Sequence, residues 1–448
     1  MVLQNRCKIA LQFCKSNDKK RTMALHPRGL LPLLSSRLAR WPVTVLTGAR
    51  QTGKTTLVRN LLPEGGGPPS VYFSLDDPDV RLHLAADPVR RLDHSERLVI
   101  LDEIQKQPAL LDSVKVLADR GANHRFLLLG SSQILLLRQV RETLAGRATV
   151  LELWPLALVE RGEGQQIPSS VLDRIWQDGE AGVRRTADEA VSVDKVRRWR
   201  GLAEEHFLWG GYPRLETLSE DDRRVWLRDF RKTYLERDLA DLGRVADLDQ
   251  FALAQNLFAA RTAQLLSYSE VARELGVAVN TVKRYLRFLE ISYQVVLVRP
   301  LQRTVTARLV KGPKIYWTDP GLARLLSERM GLSDGPLFET AVLDEILRWS
   351  SWQPESPTIH FLRTRAGKEV DFVLHGRHAV IALEVKSSTR SHHSDARPLR
   401  AFLESWQPHD SSPNVSRLGL VVTLGGDVEQ VSHSVWAIPA WRLFGPAG

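Results

Sequence analysis

At 448 residues the chain is longer than one hydrophobic core usually fills, so two or three domains are expected. Its 43% hydrophobic and 25% charged residues are those of a soluble globular protein, and no uninterrupted apolar stretch reaches the roughly 18 residues of a membrane helix, which excludes a spanning segment. A formal charge of +10 points to polyanionic partners or to arginine-rich solvated helix faces, and Cys7 and Cys14, the only two cysteines, exclude a disulfide framework for everything after them.

Residues 1–22 carry Arg6, Lys8, Lys15, Lys19, Lys20 and Arg21 among apolar residues too interrupted for a secretory signal. They read as a disordered tail or a mis-assigned start ahead of Met23, and the expected location is the cytoplasm. Residues 23–160 alternate short apolar runs with helical stretches. Val43–Leu46, Val71–Leu75, Leu98–Leu101, Phe126–Leu129 and Val150–Leu153 are the expected strands of a parallel α/β sheet covered on both faces. The first run leads into Gly48-Ala49-Arg50-Gln51-Thr52-Gly53-Lys54-Thr55-Thr56, a phosphate-binding loop opening a helix. Glycines at both ends let backbone N–H groups curl around the β- and γ-phosphates of a nucleotide. Lys54 neutralises oxygen charge, Thr55 offers a hydroxyl to Mg²⁺, and the helix start adds its dipole. The third run ends in Asp102-Glu103, where a magnesium-ligating carboxylate and a water-polarising one are expected. The fourth runs into Gly130-Ser131-Ser132, so Ser131 or Ser132 either senses the γ-phosphate or caps the next helix.

Residues 161–203 turn polar and read as a linker with small helices, and residues 204–325 as a helical and winged-helix region. Within the latter, Ser269–Leu275, a turn at Gly276, and a second helix capped by Asn280 form a helix-turn-helix pattern. Tyr293–Val298 and Lys314–Trp317 are the expected wing strands. Lys283, Arg284 and Arg287 on the second helix either contact DNA or lie on a solvated face.

Residues 326–448 contain Glu369-Val370-Asp371-Phe372, a turn at Gly376-Arg377, and a returning strand from Ala379 to Lys386. Period-two spacing puts Glu384 and Lys386 on one face with Asp371 alongside, and Glu339 on the preceding helix completes a metal shell. Asp371, Glu384 and Glu339 would bind Mg²⁺ while Lys386 orients the attacking oxygen, the arrangement of PD-(D/E)xK nucleases; the bland reading is a charged hairpin face. The fold class expected for the whole is α/β: a P-loop NTPase parallel sheet domain, a helical and winged-helix region, and a restriction-endonuclease-like α/β domain.

From Leu25 to Leu443 the chain resembles a family of bacterial and archaeal AAA-superfamily ATPases that carry a C-terminal domain of unknown function related to PD-(D/E)xK nucleases. The resemblance rests on Leu46–Thr56, Leu101-Asp102-Glu103-Ile104-Gln105, Leu129–Ser132, Leu144-Ala145-Gly146-Arg147, Gly210-Gly211-Tyr212-Pro213 and Tyr234-Leu235-Glu236-Arg237-Asp238. It implies ATP and Mg²⁺ held at the loop and Asp102, and hydrolytic water activated by Glu103. Arg147 either stabilises the transferring phosphate or forms an ion pair with Glu152 or another carboxylate.

These signals point to an Mg²⁺-dependent ATPase whose nucleotide state repositions a DNA-associated second half, with a homo-oligomer as a further expectation. The rivals are an ATP-switched, non-enzymatic DNA-binding or antitoxin-like regulator and a signalling ATPase that docks protein through its second half.

Overall fold

The structure, a computed structural model, describes residues 25–448 except 122, 131–139, 141, 163–168, 243–246, 302–311, 330, 364–368 and 407–414; for 234–242 it describes the backbone alone. Five strands, β1 (Val43–Thr47), β2 (Ser70–Ser74), β3 (Leu98–Asp102), β4 (Arg125–Leu129) and β5 (Ala148–Glu152), form one sheet in the order β2-β3-β4-β1-β5. All four pairings are parallel. The apolar runs alternate faces. Val43, Val45, Val99, Leu101, Phe126 and Leu128 pack toward helix Leu110–Asp119. Leu46, Leu98, Ile100, Leu127 and Leu129 pack toward helix Leu31–Arg40 and toward Leu57, Val58 and Leu62 of the helix after the loop. A sheet buried on both faces needs such unbroken apolar runs, which is why they were legible. Because β4 separates β1 from β3, the loop after β1 crosses the C-terminal end of β4 to bring Thr55 to Asp102 at the end of β3.

Helices Val171–Asp178, Glu180–Asp188 and Val193–Trp209 follow, burying Val171, Leu172, Ile175, Val183 and Phe207 in the largest core. A nine-stranded sheet occupies the second half in the order β13-β14-β12-β11-β10-β9-β7-β8-β6. Its members are β6 (Gln264–Leu265), β7 (Val295–Pro300), β8 (Lys314–Trp317), β9 (Thr358–Arg363), β10 (Glu369–His375), β11 (Ala379–Lys386), β12 (Ser416–Thr423), β13 (Glu429–Ser432) and β14 (Val435–Pro439). Strands β9, β10 and β11 form an antiparallel meander, β12 joins β11 in parallel, and β7 joins β9 in parallel. Helix Gly335–Ser351 contributes to the core on one face and helix Ala396–Ser405 to that on the other.

Ahead of β7, helices Tyr268–Leu275 and Val279–Ile291 meet at Gly276, whose φ of 66° is one that only glycine adopts freely. The cap of the second helix differs from expectation. Ala278 holds the N-cap position without a side-chain hydrogen bond, and Asn280 is the second residue of the helix. Val282, Leu286 and Leu289 are buried, leaving Lys283, Arg284 and Arg287 exposed on the opposite stripe. Among the described residues no helix is long and apolar enough to cross a membrane.

Candidate nucleotide site and carboxylate cluster

The loop is a tight backbone cradle. Gly48 has φ 147° and Gly53 φ 93°, both outside ordinary side-chain territory, and a Cβ on Gly48 would stand 2.2 Å from the Leu153 carbonyl oxygen. Thr52, fully buried, donates from Oγ1 to the Ala49 carbonyl at 3.0 Å, tying the turn to itself. Lys54 is buried and its Nζ donates to the carbonyls of Gly48 (3.0 Å) and Ala49 (2.8 Å). Thr55 Oγ1 donates to Asp102 Oδ2 at 3.0 Å, so hydroxyl and carboxylate stand together. Asp102 Oδ1 accepts the Glu103 N–H at 3.0 Å. Glu103 itself adopts a left-handed backbone, φ 56° and ψ 45°, and accepts a hydrogen bond from Gln105.

A cavity of about 800 Å³ opens over this loop. Arg50, Gln51, Gly53, Lys54, Thr55, Thr56 and Glu103 line it, while Gly48, Ala49 and Thr52 of the same loop do not. Ser131 and Ser132 lie outside the described residues. Arg147 pairs with a carboxylate, that of Asp119, from Nε at 2.5 Å and Nη2 at 3.0 Å.

Four features of this site were not read from the sequence. Tyr72, on β2, donates its hydroxyl to Asp102 Oδ2; burial first, then that hydrogen bond, keeps the phenol protonated well above its usual range. Arg28, 5% exposed, straddles the back of the loop: Nη1 donates to the Thr52 carbonyl (2.8 Å), Nη2 to that of Trp154 (2.6 Å), and Nε to both oxygens of Glu160 (3.2 Å). Pro213, Arg214, Trp226 and Thr233, far along the chain, complete the cavity wall. Finally Tyr293, buried and at φ 60°, shares a 2.6 Å hydrogen bond with Thr47 Oγ1 and stacks edge-on against Trp154. The residue ending β1 is thus tied to the turn that precedes β7. Only Gly210-Gly211-Tyr212-Pro213 gave any sequence signal, through its glycines; a lone Arg or Tyr with a partner on another element, 24 to 246 residues away, gives none.

In the second half β10 and β11 bring Asp371, Glu384 and Lys386 together with Glu339 from helix Gly335–Ser351. Asp371 Oδ2 accepts the Val385 N–H at 2.8 Å, and Lys386 Nζ donates to Glu384 Oε1 at 2.7 Å. Burial, then the charge of Asp371, pushes Glu339 up to about 8 and Glu384 to about 7; burial raises Asp371 as well. An unforeseen fifth group is Lys314 of β8, whose buried ammonium stands 3.0 Å from Glu339, 2.5 Å from Glu369 and 3.6 Å from Asp371. Among the described residues no three or more His, Cys, Asp or Glu side chains are placed to hold a metal ion.

The parallel sheet and its glycine loop are those of a P-loop nucleotide-binding domain, and the sequence profile of an AAA domain matches residues 40–161. Profiles of two domains of unknown function, DUF8612 and DUF4143, match residues 200–333 and 334–443. The chain belongs to one family with two mycobacterial proteins described as uncharacterized, from Mycobacterium tuberculosis and Mycobacterium bovis, each 30% identical over 430 residues, which cover 94% of this chain and 85% of theirs. A Thermotoga maritima RuvB variant aligns over 62% of this chain and 89% of its own at 18% identity, with a TM-score of 0.25, too low to carry fold or function across.

Proposed function

We propose that the chain is an Mg²⁺-dependent ATPase whose nucleotide state is passed to a DNA-binding second half. The observation that carries the reading is the meeting of Thr55 and Asp102 at 3.0 Å, beside Lys54 and under a cavity large enough for a nucleotide. A hydroxyl and a carboxylate oxygen side by side are the hard donors that Mg²⁺ takes, and Thr55 and Asp102 would hold it against the phosphates. Mg²⁺ there would neutralise charge on the β- and γ-oxygens. Lys54, now on two loop carbonyls, would turn to the γ-phosphate, and Glu103 would accept a proton from the attacking water. The bond from the β–γ bridging oxygen to the γ-phosphorus breaks, leaving ADP and inorganic phosphate.

Coupling is supported by Tyr293, which ties Thr47, one residue before the loop, to the segment leading into β7. We assign residues 204–325 to a helical and winged-helix region whose helix Val279–Ile291 presents Lys283, Arg284 and Arg287 to DNA phosphate. We assign residues 326–448 to a nuclease-like core, supported by the succession helix, β9, β10, β11, helix, β12, with Glu339, Asp371, Glu384 and Lys386 on its acidic face.

ATP turnover with and without duplex DNA tests the proposal. Hydrolysis should rise with DNA and fall at least 100-fold (about 2.7 kcal/mol) in Glu103→Gln. DNA affinity should drop with salt, more shallowly once Lys283, Arg284 and Arg287 are alanine. Wild-type turnover no faster than that of Glu103→Gln, with DNA present, contradicts the reading.

A further inference from the structure

The carboxylates of the second half gather around an ammonium of the chain's own. Lys314 and Tyr316 alternate on β8, and both reach Glu339 Oε1, the hydroxyl of Tyr316 at 2.5 Å and Lys314 Nζ at 3.0 Å. The same Nζ meets Glu369 at 2.5 Å and lies 3.6 Å from Asp371 Oδ1, with its side chain 4% exposed. Lys386 neutralises Glu384 Oε1, and Arg363 lies 3.7 Å from Glu369. Four carboxylates, Glu339, Glu369, Asp371 and Glu384, therefore face three cations, Lys314, Lys386 and Arg363. One acceptor remains: Glu384 Oε2 is buried and has no hydrogen-bond partner among the described residues.

We propose that Lys314 is the resident cation of this cluster, standing where a nuclease-like site would take a divalent metal, so that the wild-type chain binds no Mg²⁺ or Mn²⁺ between Glu339, Asp371 and Glu384. A divalent ion would need the same oxygens of Glu339 and Asp371 that Lys314 already occupies from within the cluster, so it would have to displace that ammonium, as well as meet its charge, to bind. The unpartnered Glu384 oxygen is what such a site would show with its metal replaced by a cation that reaches Glu339 and Asp371 but falls short of Glu384. Lys314 comes from β8, outside the β9–β12 unit, so no spacing within the Asp371–Lys386 motif announces it. The cluster uses none of the residues of the nucleotide loop, so ATP turnover can fail without touching this assignment.

Mn²⁺ binding to the nucleotide-free full-length chain, counted by electron paramagnetic resonance, tests it. Wild type and Asp371→Asn should bind the same number of ions. Lys314→Met should gain about one ion per chain with a dissociation constant on the order of 10⁻⁴ M, Lys314→Arg should gain none, and Lys314→Met/Asp371→Asn should lose the gain. An ion held by wild type and missing from Asp371→Asn overturns the proposal, as does a folded Lys314→Met with no added ion. If Lys314→Met does not fold, the comparison of wild type with Asp371→Asn decides alone, equal counts supporting the proposal and unequal counts refuting it.

Discussion

Arg28→Met removes the fork that holds the nucleotide loop from behind. The loss has two parts. Glu160, 1% exposed, loses its charge partner but keeps the N–H groups of Gly29 (2.6 Å) and Ala157 (2.9 Å), so its carboxylate is left partly compensated. The carbonyls of Thr52 and Trp154 lose their donors outright. Breaking a buried ion pair costs about 3–5 kcal/mol, and each orphaned carbonyl about 1–3 kcal/mol; with the Glu160 compensation a total near 4 kcal/mol is expected. Urea unfolding, read on the transition that includes the ATPase half, measures it. Glu160→Gln should relieve the uncompensated charge, making the double variant about 2 kcal/mol more stable than additivity predicts. Because Thr52 sits inside the loop, ATP affinity should also weaken about tenfold, or 1.4 kcal/mol. An Arg28→Met protein within about 1 kcal/mol of wild type, binding ATP unchanged, would show that the fork does not hold the loop.

Three further outcomes are expected. Gly48→Ala forces a Cβ to within 2.2 Å of the Leu153 oxygen at φ 147°, so the cradle must open; nucleotide affinity should fall more than tenfold (about 1.4 kcal/mol), measurable by fluorescent-nucleotide titration. Tyr293→Phe deletes the 2.6 Å bond to Thr47 and should cost about 1 kcal/mol in unfolding while reducing the stimulation of turnover by DNA. His206 is fully buried between Arg161 on Nδ1 and Glu345 with Arg348 on Nε2. Burial pulls it down to about 4 despite the opposing charge of Glu345, so the folded protein keeps it neutral where the unfolded chain, near 6.5, protonates it. Its contribution is intact above pH 6.5 and lost as pH falls toward 4. Asp319 nearby, raised by burial to about 6, works in the opposite direction, so the test is the difference between wild type and His206→Gln: it should shift against wild type by about 2 kcal/mol between pH 7.5 and pH 5.

What the sequence made legible is local. The central strands β1, β3 and β4 announced themselves because a doubly covered parallel strand must be apolar on both faces. The half-buried edge strands β2 and β5 showed as apolar runs as well, and the loop was legible because its glycines and Lys54-Thr55 stand at fixed spacing. The pairing of Asp371 with Glu384 followed from period two across a tight turn. What stayed hidden was tertiary. Tyr72, Arg28, Tyr293 and Lys314 each act on a partner placed by the fold, and nothing in a lone tyrosine or lysine distinguishes such a role from a surface one. Composition also misled within 161–203: its charged residues cover the outside of helices whose inner stripe, Val171, Leu172 and Ile175, is buried. The expected Asn280 cap failed for a similar reason, since that helix starts two residues earlier than its polar residue suggested.

Calorimetric titration of the Mg²⁺-supplemented protein with ATP bears most directly on the central claim. Wild type should bind one nucleotide per chain, and Lys54→Ala, equally well folded by circular dichroism, should bind at least tenfold more weakly (about 1.4 kcal/mol). Uptake of ATP by neither protein, or equal uptake by both, would contradict the account.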